Sequence, residues 1–333
     1  MTHSDFSSTA SAFWITSPGQ GFIRDASLAP SREGHVHIRT LYSAISRGTE
    51  SLVYTGAVPA SEHARMRAPF QEGEFSFPVK YGYINVGVVE QGPAELLNKH
   101  VFCLYPHQTH YVVPVDSVTV LPDSLPAARA VLCANMETAV NALWDAAPAV
   151  GDRISVVGAG VVGCLVAWLA SRIPGCDVEL IDINASRQSV ATQLGLNFRV
   201  PAEASDVRDL VIHASASEAG LQSAMALAAK EATIVELSWY GDKRVSVALG
   251  GAFHSQRLTL KSSQVGSVPA DHQARWHYAR RLQLAMSLIN DDQLDYLISG
   301  ESHFRDLPAE YDAILSDSQN ALCHRIRYDD SVF

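Results

Sequence analysis

Residues 158–163 read Gly-Ala-Gly-Val-Val-Gly, between an apolar strand-type run and a segment of helical type. A G-x-G-x-x-G sequence in that position is typical of a loop that binds the pyrophosphate of a dinucleotide. The first glycine permits a tight turn, the second lets the backbone approach the phosphates, and the third lets helix and strand pack closely. We therefore predict dinucleotide contacts from Gly158, Gly160 and Gly163.

A carboxylate should follow such a loop by about 20 residues, and Asp182 ends the next strand-type run, VELID. A carboxylate there accepts hydrogen bonds from the hydroxyls of the adenosine ribose, and its charge repels a 2′-phosphate. We therefore predict NAD as the cofactor in preference to NADP. Arg187 follows shortly afterwards and could weaken this preference. The alternative is that the glycines and Asp182 are only turn and cap residues.

The segments around this loop predict the elements that position it. Across residues 126–264, short apolar runs alternate with segments of helical type, one of which covers residues 217–231. Parallel strands need crossover connections, which are usually helices. We therefore predict a doubly wound α/β domain over residues 126–264, with helices on both faces of a parallel sheet.

Residues 1–125 have a different pattern, in which short strand-type runs are separated by Gly and Pro. This pattern predicts a β-rich barrel or sandwich. Residues 54–77 interrupt the runs, and we interpret them as a long loop of the kind that is often functional. Residues 265–333 contain an amphipathic helix and a closing strand-like run, and we predict that they return to the first domain.

Composition excludes several classes of function. The net charge of -10 is spread along the chain without a basic block, which argues against nucleic acid and against an anionic membrane surface as partners. The sequence contains neither a long apolar span nor a secretory signal, so we expect a cytoplasmic protein. The five cysteines are scattered and never spaced as Cys-x-x-Cys, which favours free thiols and excludes a structural zinc lobe.

The order of a β-rich domain, a dinucleotide fold and a short return resembles the medium-chain dehydrogenase/reductase superfamily over nearly the whole chain. The ISRGTE form of the first matching segment is most similar to the branch that contains hydroxyethyl-bacteriochlorophyllide dehydrogenase. The segments that carry the resemblance are SAISRGTE, KYGYINVGVVEQG, METAVNALWDAAPAVGDRISVVGAGVVG and DLVIHASASEAGLQSAMALAAKEATIVELSWYGD.

This resemblance implies a GroES-like substrate domain followed by a Rossmann domain. It also implies cofactor contacts from Thr138, Val162, Leu237 and Ser238. Dimerisation through the edge of the nucleotide-binding sheet is common in the superfamily, so we expect a homodimer.

The resemblance also shows what is missing from a zinc site. Zinc-dependent members take their first ligand from the cysteine of a C-x-T-D motif, where this chain has Arg47, or Ser46 if one gap is allowed. Their second ligand is the histidine of Gly-His-Glu, which here reads Gly82-Tyr83-Ile84. A catalytic zinc needs three N, S or O ligands, and a single further candidate within residues 133–137 does not complete a site. We therefore predict that catalytic zinc is absent.

A second possible metal cluster is Cys103, His107 and His110, which would converge only if the segment between them turned. We favour an ordinary bend between two strands, because histidines in such places usually form hydrogen bonds. Either histidine could exchange a proton with solvent near neutral pH.

Without a metal, hydride transfer relies on hydrogen-bond donors and positive charge placed where the substrate oxygen becomes negative. We predict that Arg47 is a fixed cation, Tyr83 a hydroxyl donor, Thr49 a proton relay and His107 a proton exchanger. The alternatives are structural: Arg47 would pair with Glu50, Thr49 would bind the backbone, and Tyr83 would lie in the core.

These residues predict a zinc-independent, NAD(H)-dependent oxidoreductase that acts on an alcohol or ketone. An enone or quinone reductase of the same fold, and a non-catalytic NAD-binding redox sensor, are the alternatives. Trp239 and Tyr240 follow the strand whose end should face the nicotinamide, so we expect a flat or bulky small-molecule substrate.

Overall fold

The computed structural model describes residues 9–30, 32–75, 77–316 and 320–328. These residues divide into two compact units: one holds the described residues up to 134 and those from 298 onward, and the other holds residues 135–297. The predicted boundaries, after residues 125 and 264, differ from these. Within the described ranges, no helix is both long and apolar enough to cross a membrane.

The strands and helices are defined as follows. The strands are β1 (Thr9–Ser17), β2 (Gln20–Ser27), β3 (His35–Ile45), β4 (Glu72–Gly73), β5 (Val79–Lys80), β6 (Asn85–Gln91), β7 (His100–Cys103), β8 (His110–Pro114), β9 (Val118–Val120), β10 (Arg153–Val157), β11 (Asp177–Ile181), β12 (Asn197–Arg199), β13 (Arg208–His213), β14 (Ala228–Glu236), β15 (Thr259–Ser262), β16 (Ile298–His303) and β17 (Cys323–Arg327). The helices are α1 (Arg47–Thr55), α2 (Cys133–Ala146), α3 (Val161–Ala170), α4 (Gln188–Gln193), α5 (Glu218–Leu227), α6 (Ala270–Gln273), α7 (Tyr278–Leu288) and α8 (Leu307–Leu315).

The first unit is built from two β-sheets. A seven-stranded sheet has the order β16-β17-β3-β6-β7-β9, with β8 paired to β3, and a smaller sheet has the order β2-β1-β5-β4. Alternate residues of β3, including Val36 and Ile38, are fully buried and pack with Val89, Val101 and Val113. This alternation follows from the two-residue period of a strand with one buried face. The unit is therefore the β-rich domain that the sequence predicts.

The segment that follows β3 turns into α1, which carries the Arg47-Gly48-Thr49-Glu50 sequence. The helix ends at Gly56, whose φ of 74° is the left-handed conformation that terminates many helices. The predicted loop of residues 54–77 contains the end of α1, a short 3-10 turn at Ala60–Glu62 and β4.

The second unit is a six-stranded sheet in the order β12-β11-β10-β13-β14-β15, and all of its neighbouring strands are parallel. Strands β10 and β11 are buried along nearly their whole length, as expected of parallel strands covered on both faces. The predicted α/β fold is confirmed. Two details differ: the sequence pattern does not indicate the short strand β12, and residues 228–231, predicted as helix, begin β14.

Helix α7 belongs to the second unit, although the sequence predicted that residues 265–297 return to the first. The reason is a buried ion pair: Arg281 Nε on α7 donates to Glu137 Oε1 on α2 at 3.0 Å. The same guanidinium donates to Asn141 Oδ1 and to the Val265 carbonyl, each at 2.5 Å. An amphipathic pattern predicts a helix with one buried face, but it does not identify the surface that the face covers.

Candidate functional site

The glycine-rich loop lies at the carboxyl end of β10, and its geometry requires glycine at two positions. Gly158 has a φ of 112°, and a Cβ there would lie 2.8 Å from the backbone nitrogen of Ser215. A Cβ on Gly163 would lie 1.8 Å from the carbonyl oxygen of Gly158. By contrast, a Cβ on Gly160 would meet no atom within 4 Å. The loop is thus tightly packed on its protein side and open beside Gly160.

Helix α3 begins directly after Gly160, with the half-buried Val162 in its first turn. The first N–H groups of a helix have no partner within it, and they carry a partial positive charge. These groups and the open space beside Gly160 fit the pyrophosphate of a dinucleotide.

Asp182 lies just after β11 and is half-buried. Its Oδ2 accepts a hydrogen bond from the N–H of Ala159 at 2.7 Å, and its Oδ1 accepts one from the N–H of Asn184 at 2.8 Å. Each carboxylate oxygen can accept a second hydrogen bond, so both can still bind a ribose hydroxyl. Arg187 lies in the next 3-10 turn, and its charge and that of Asp182 both act on the thiol of Cys164, whose pKa burial raises to about 12.

Leu237 and Ser238 follow β14 at the same edge of the sheet. The N–H of Leu237 donates to the carbonyl of His213 at 2.9 Å, and Ser238 Oγ accepts from the N–H of Ala216 at 3.0 Å. The structure therefore brings the glycine loop, Asp182 and Ser238 to one edge of the sheet, at the carboxyl ends of its strands. Thr138 lies on α2, within the same unit.

A polar cluster at this edge is not predicted by the sequence analysis. His213 is fully buried at the end of β13; its Nδ1 lies 2.7 Å from Glu236 Oε2, and its Nε2 lies 2.7 Å from Ser215 Oγ. Glu236 also accepts from the Tyr240 hydroxyl at 3.0 Å and from the N–H of Ser238 at 2.7 Å. Burial acts to raise the pKa of Glu236, but the hydrogen bonds from His213 and Ser238 outweigh it and lower that pKa.

The first unit holds a second buried polar cluster, centred on Glu50. This carboxylate is 0 % exposed and accepts from the Tyr311 hydroxyl at 2.5 Å and from the N–H of Ser46 at 2.7 Å. His107 Nε2 lies 3.0 Å from it. Burial and the adjacent Glu50 both raise the pKa of the Tyr311 hydroxyl. A buried charge needs such partners, because a lone carboxylate would pay a large desolvation cost.

The cluster continues beyond His107. Its Nδ1 lies 2.8 Å from Ser43 Oγ, which is 2.9 Å from the hydroxyl of Tyr328. His107 is 1 % exposed, so the predicted direct proton exchange with solvent does not fit its position. Both of its ring nitrogens have partners, and it positions Glu50 and Ser43 instead.

The other predicted catalytic residues lie beside Ser46. The Tyr83 hydroxyl donates to Ser46 Oγ at 2.5 Å and also hydrogen-bonds Thr49. Burial raises the pKa of Tyr83, and its hydrogen bonds with Ser46 and Thr49 only partly oppose that shift, so the phenol is protonated at neutral pH. Arg47 begins α1 and donates to the carbonyl of Ala321 at 2.8 Å. Ser46 thus joins the Tyr83–Thr49 pair to the Glu50 cluster.

These residues do not fit a catalytic zinc. Arg47, at the position of the first zinc ligand, is a cation, and Tyr83, at the position of the second, is a neutral phenol. In the second possible cluster, burial raises the pKa of the Cys103 thiol to about 12. Across residues 9–30, 32–75, 77–316 and 320–328, no three His, Cys, Asp or Glu side chains are grouped to hold a metal ion.

Comparisons with known proteins agree with this architecture. No protein-family model matches the chain. L-threonine 3-dehydrogenase of Rhizobium rhizogenes strain K84 is 29% identical over 99 residues, which are 30% of this chain and only 28% of that relative's length.

Solved structures match nearly the whole chain. An alcohol dehydrogenase of Escherichia coli CFT073 complexed with NADH has a TM-score of 0.76 at 16% identity, covering 96% of this chain and 99% of that one. The 2R,3R-butanediol dehydrogenase of Bacillus subtilis has a TM-score of 0.76 at 16% identity, covering 96% and 100%. A proposed NADPH:quinone reductase of Bacillus thuringiensis has a TM-score of 0.74 at 17% identity, covering 96% and 99%.

At these identities the comparisons establish the fold. The chain has a GroES-like β-rich unit and a Rossmann unit, which is the fold of the medium-chain dehydrogenase/reductase superfamily that its sequence motifs resemble.

Proposed function

We propose that this protein is a zinc-independent, NAD(H)-dependent oxidoreductase that transfers a hydride between the nicotinamide and an alcohol or ketone. The observation that carries the proposal is the sheet edge where the glycine loop, the start of α3 and Asp182 meet. That edge offers N–H groups to a pyrophosphate and a carboxylate to a ribose. The similar structures support it, since one is an alcohol dehydrogenase complexed with NADH and another is a butanediol dehydrogenase.

The nicotinamide, when bound, supplies or accepts the hydride. In this proposal Tyr83 is the catalytic donor, because its neutral phenol can donate a hydrogen bond and then a proton to a substrate oxygen. The phenolate left behind is reprotonated through Ser46 and Thr49, which contact it and, being partly exposed, relay a proton from solvent. Glu50 and His107 are buried positioning residues: Glu50 accepts from the N–H of Ser46, and His107 in turn holds Glu50. Arg47, whose guanidinium donates to the Ala321 carbonyl, supplies positive charge at the start of α1.

Thermal shift measurements test the cofactor. NADH should raise the melting temperature more than NADPH does, because Asp182 repels a 2′-phosphate. Asp182→Ala should reduce the NADH shift and narrow the difference between the two cofactors. A larger shift with NADPH in the unmodified protein would overturn the role of Asp182.

Turnover with a panel of ketones and secondary alcohols tests the chemistry. Tyr83→Phe should lower kcat by about 10²-fold or more, as expected for loss of a general acid, with NADH binding unchanged. If Tyr83→Phe lost NADH binding as well as turnover, the loss would show a fold defect instead. Metal analysis of the same preparation should find no stoichiometric zinc, and zinc at one per chain would refute the proposed site.

Reduction of a carbon–carbon double bond in an enone, or of a quinone, is the second candidate. The similar structure of a proposed NADPH:quinone reductase favours it. The product distinguishes the two reactions, since an enone yields either an allylic alcohol or a saturated ketone. If the protein binds NADH but shows no hydride exchange with any substrate, and Tyr83→Phe changes nothing, the redox-sensor alternative holds.

The proposal includes a homodimer formed through the edge of the nucleotide-binding sheet. All four residues of the edge strand β15 are exposed, so its unpaired backbone groups face outward. Light scattering coupled to size exclusion should give twice the 36.0 kDa of one chain. Lys261→Pro in that strand should yield monomers, and a monomeric unmodified protein would contradict the dimer.

A further inference from the structure

The cluster of Ser215, His213 and Glu236 lies beside the glycine loop, and the predicted cofactor contacts leave it without a function. His213 and Glu236 end adjacent parallel strands, β13 and β14, and face each other in register. The backbone of Ser215 lies so close to Gly158 that a Cβ on that glycine would be 2.8 Å from it. The Ser215 hydroxyl, unlike the buried His213, is partly exposed.

The hydrogen bonds around Glu236 determine which groups donate and which accept along the row Ser215–His213–Glu236. Three donors, on His213, Ser238 and Tyr240, converge on this carboxylate, so it is the acceptor and His213 carries its proton on Nδ1. Nε2 of His213 is then an acceptor, and the Ser215 hydroxyl donates to it across 2.7 Å.

Because the Ser215 hydroxyl donates its proton to His213, its oxygen is free to accept hydrogen bonds from other groups. A hydroxyl oxygen has two lone pairs. Ser217 Oγ lies 2.9 Å away and can occupy one of them. The other is available to a ligand on the open side of the loop.

The arrangement resembles the Ser-His-acid relay of hydrolases, but its surroundings suit binding rather than acyl transfer. An acyl-enzyme needs N–H groups beside the serine to stabilise an oxyanion. The N–H of Ala216, the next residue, already donates to Ser238 Oγ at 3.0 Å. Ser215 is therefore better suited to accept a hydrogen bond than to attack a carbonyl.

The sheet order identifies the part of a dinucleotide that Ser215 faces. Strands β11 and β13 flank β10 on opposite sides, and Asp182 follows β11 whereas Ser215 follows β13. A dinucleotide lies across this reversal of strand order, with its adenosine ribose at the carboxylate after the second strand. The other half of the dinucleotide then lies over β13 and β14.

We propose that Ser215, held by His213 and Glu236, accepts a hydrogen bond from a hydroxyl of the nicotinamide ribose. This inference rests on the proposed function. It assigns Ser215 as a cofactor-binding residue and His213 as its positioning residue.

Calorimetric titration with NADH and with ADP tests the assignment, because ADP has the adenosine ribose and the pyrophosphate but lacks the nicotinamide ribose. Ser215→Ala should weaken NADH binding about fivefold, as expected for one hydrogen bond, and should leave ADP binding unchanged. His213→Gln should have the same effect. The double variant should lose no more than Ser215→Ala alone, because His213 acts only through Ser215.

Two further variants serve as controls for these measurements. Ser223→Ala removes a hydroxyl from α5 that hydrogen-bonds only its own helix, and it should alter neither affinity. Asp182→Ala should weaken both ligands, because both contain the adenosine ribose. The assignment is overturned if Ser215→Ala leaves NADH binding unchanged or weakens ADP equally. If the unmodified protein binds neither ligand, the proposed function itself fails.

Discussion

The buried ion pair between Arg281 and Glu137 allows a quantitative prediction about the second unit. Arg281 is 1 % exposed and Glu137 6 %, so neither charge has water to replace a lost partner. Replacing Arg281 with methionine keeps most of the packing volume but leaves the carboxylate uncompensated. Breaking a buried pair in this way costs about 3–5 kcal/mol of unfolding free energy.

The loss should depend on pH in a defined direction. Burial already raises the pKa of Glu137, and the charge and hydrogen bond of Arg281 oppose that shift. In Arg281→Met this opposition is gone, so the pKa in the folded state rises further above its unfolded value. The folded variant then binds a proton that the unfolded chain releases, and its stability increases as the pH falls. The deficit should therefore be smaller at pH 5 than at pH 7.

Urea unfolding followed by tryptophan fluorescence measures this effect. Four of the five tryptophans, at positions 144, 168, 239 and 276, lie in the second unit, so the signal reports mainly on it. Arg280→Met is the matched control, because Arg280 is exposed on the same helix and its loss should cost under about 1 kcal/mol. A deficit below about 1 kcal/mol for Arg281→Met, or one that grows on acidification, would refute the reasoning.

Three further predictions follow from single contacts. Gly163→Ala places a Cβ 1.8 Å from the carbonyl oxygen of Gly158, so it should lower the melting temperature and weaken NADH binding at least about tenfold. Gly48→Ala is the control and should do neither, because its Cβ meets no atom within 4 Å. Equal calorimetric affinities of the two variants for NADH would contradict this prediction. Glu50→Ala leaves buried donors without their acceptor and should cost about 3 kcal/mol in urea unfolding, and a near-neutral result would mean that the cluster adds no stability. Cys176 is only partly buried, so it should react first with a thiol reagent at pH 8, and mass spectrometry would locate the label; first labelling at one of the buried cysteines would contradict this prediction. Burial raises the pKa of the thiols of Cys103, Cys164 and Cys323 to about 12, so these three should react slowly with the reagent at pH 8.

The Rossmann unit could be predicted because its signals are local. The glycine spacing, the strand before it and Asp182 all lie within about 30 residues, which is the length of one βαβ unit. Each of them is also a consequence of backbone geometry, as the close contact between Gly163 and Gly158 shows. The exceptions are β12, whose residues have only a weak strand preference, and the start of β14, whose residues prefer a helix. In both segments, pairing with a neighbouring strand overrides the local preference.

The Glu50 cluster could not be predicted, because its members are distant in sequence. Glu50 and Tyr311 are separated by 261 residues, and Glu50 and His107 by 57. A carboxylate in the sequence does not reveal whether it is exposed or which donors surround it. A weaker signal did exist for His213 and Glu236, since each ends a predicted parallel strand, and neighbouring strands bring their carboxyl ends together.

The Glu50 cluster also has a consequence for the order in which the chain can fold during synthesis. Residues 135–297 form one continuous stretch, so the second unit can fold as soon as that stretch leaves the ribosome. The first unit has to wait, because Glu50 gains its last donor only when Tyr311 arrives and β3 pairs with β17 only when that strand is made. Until the last few dozen residues are made, the amino-terminal part of the chain lacks one donor to Glu50 and keeps one edge of β3 open, so we expect the first unit to complete its folding after the second.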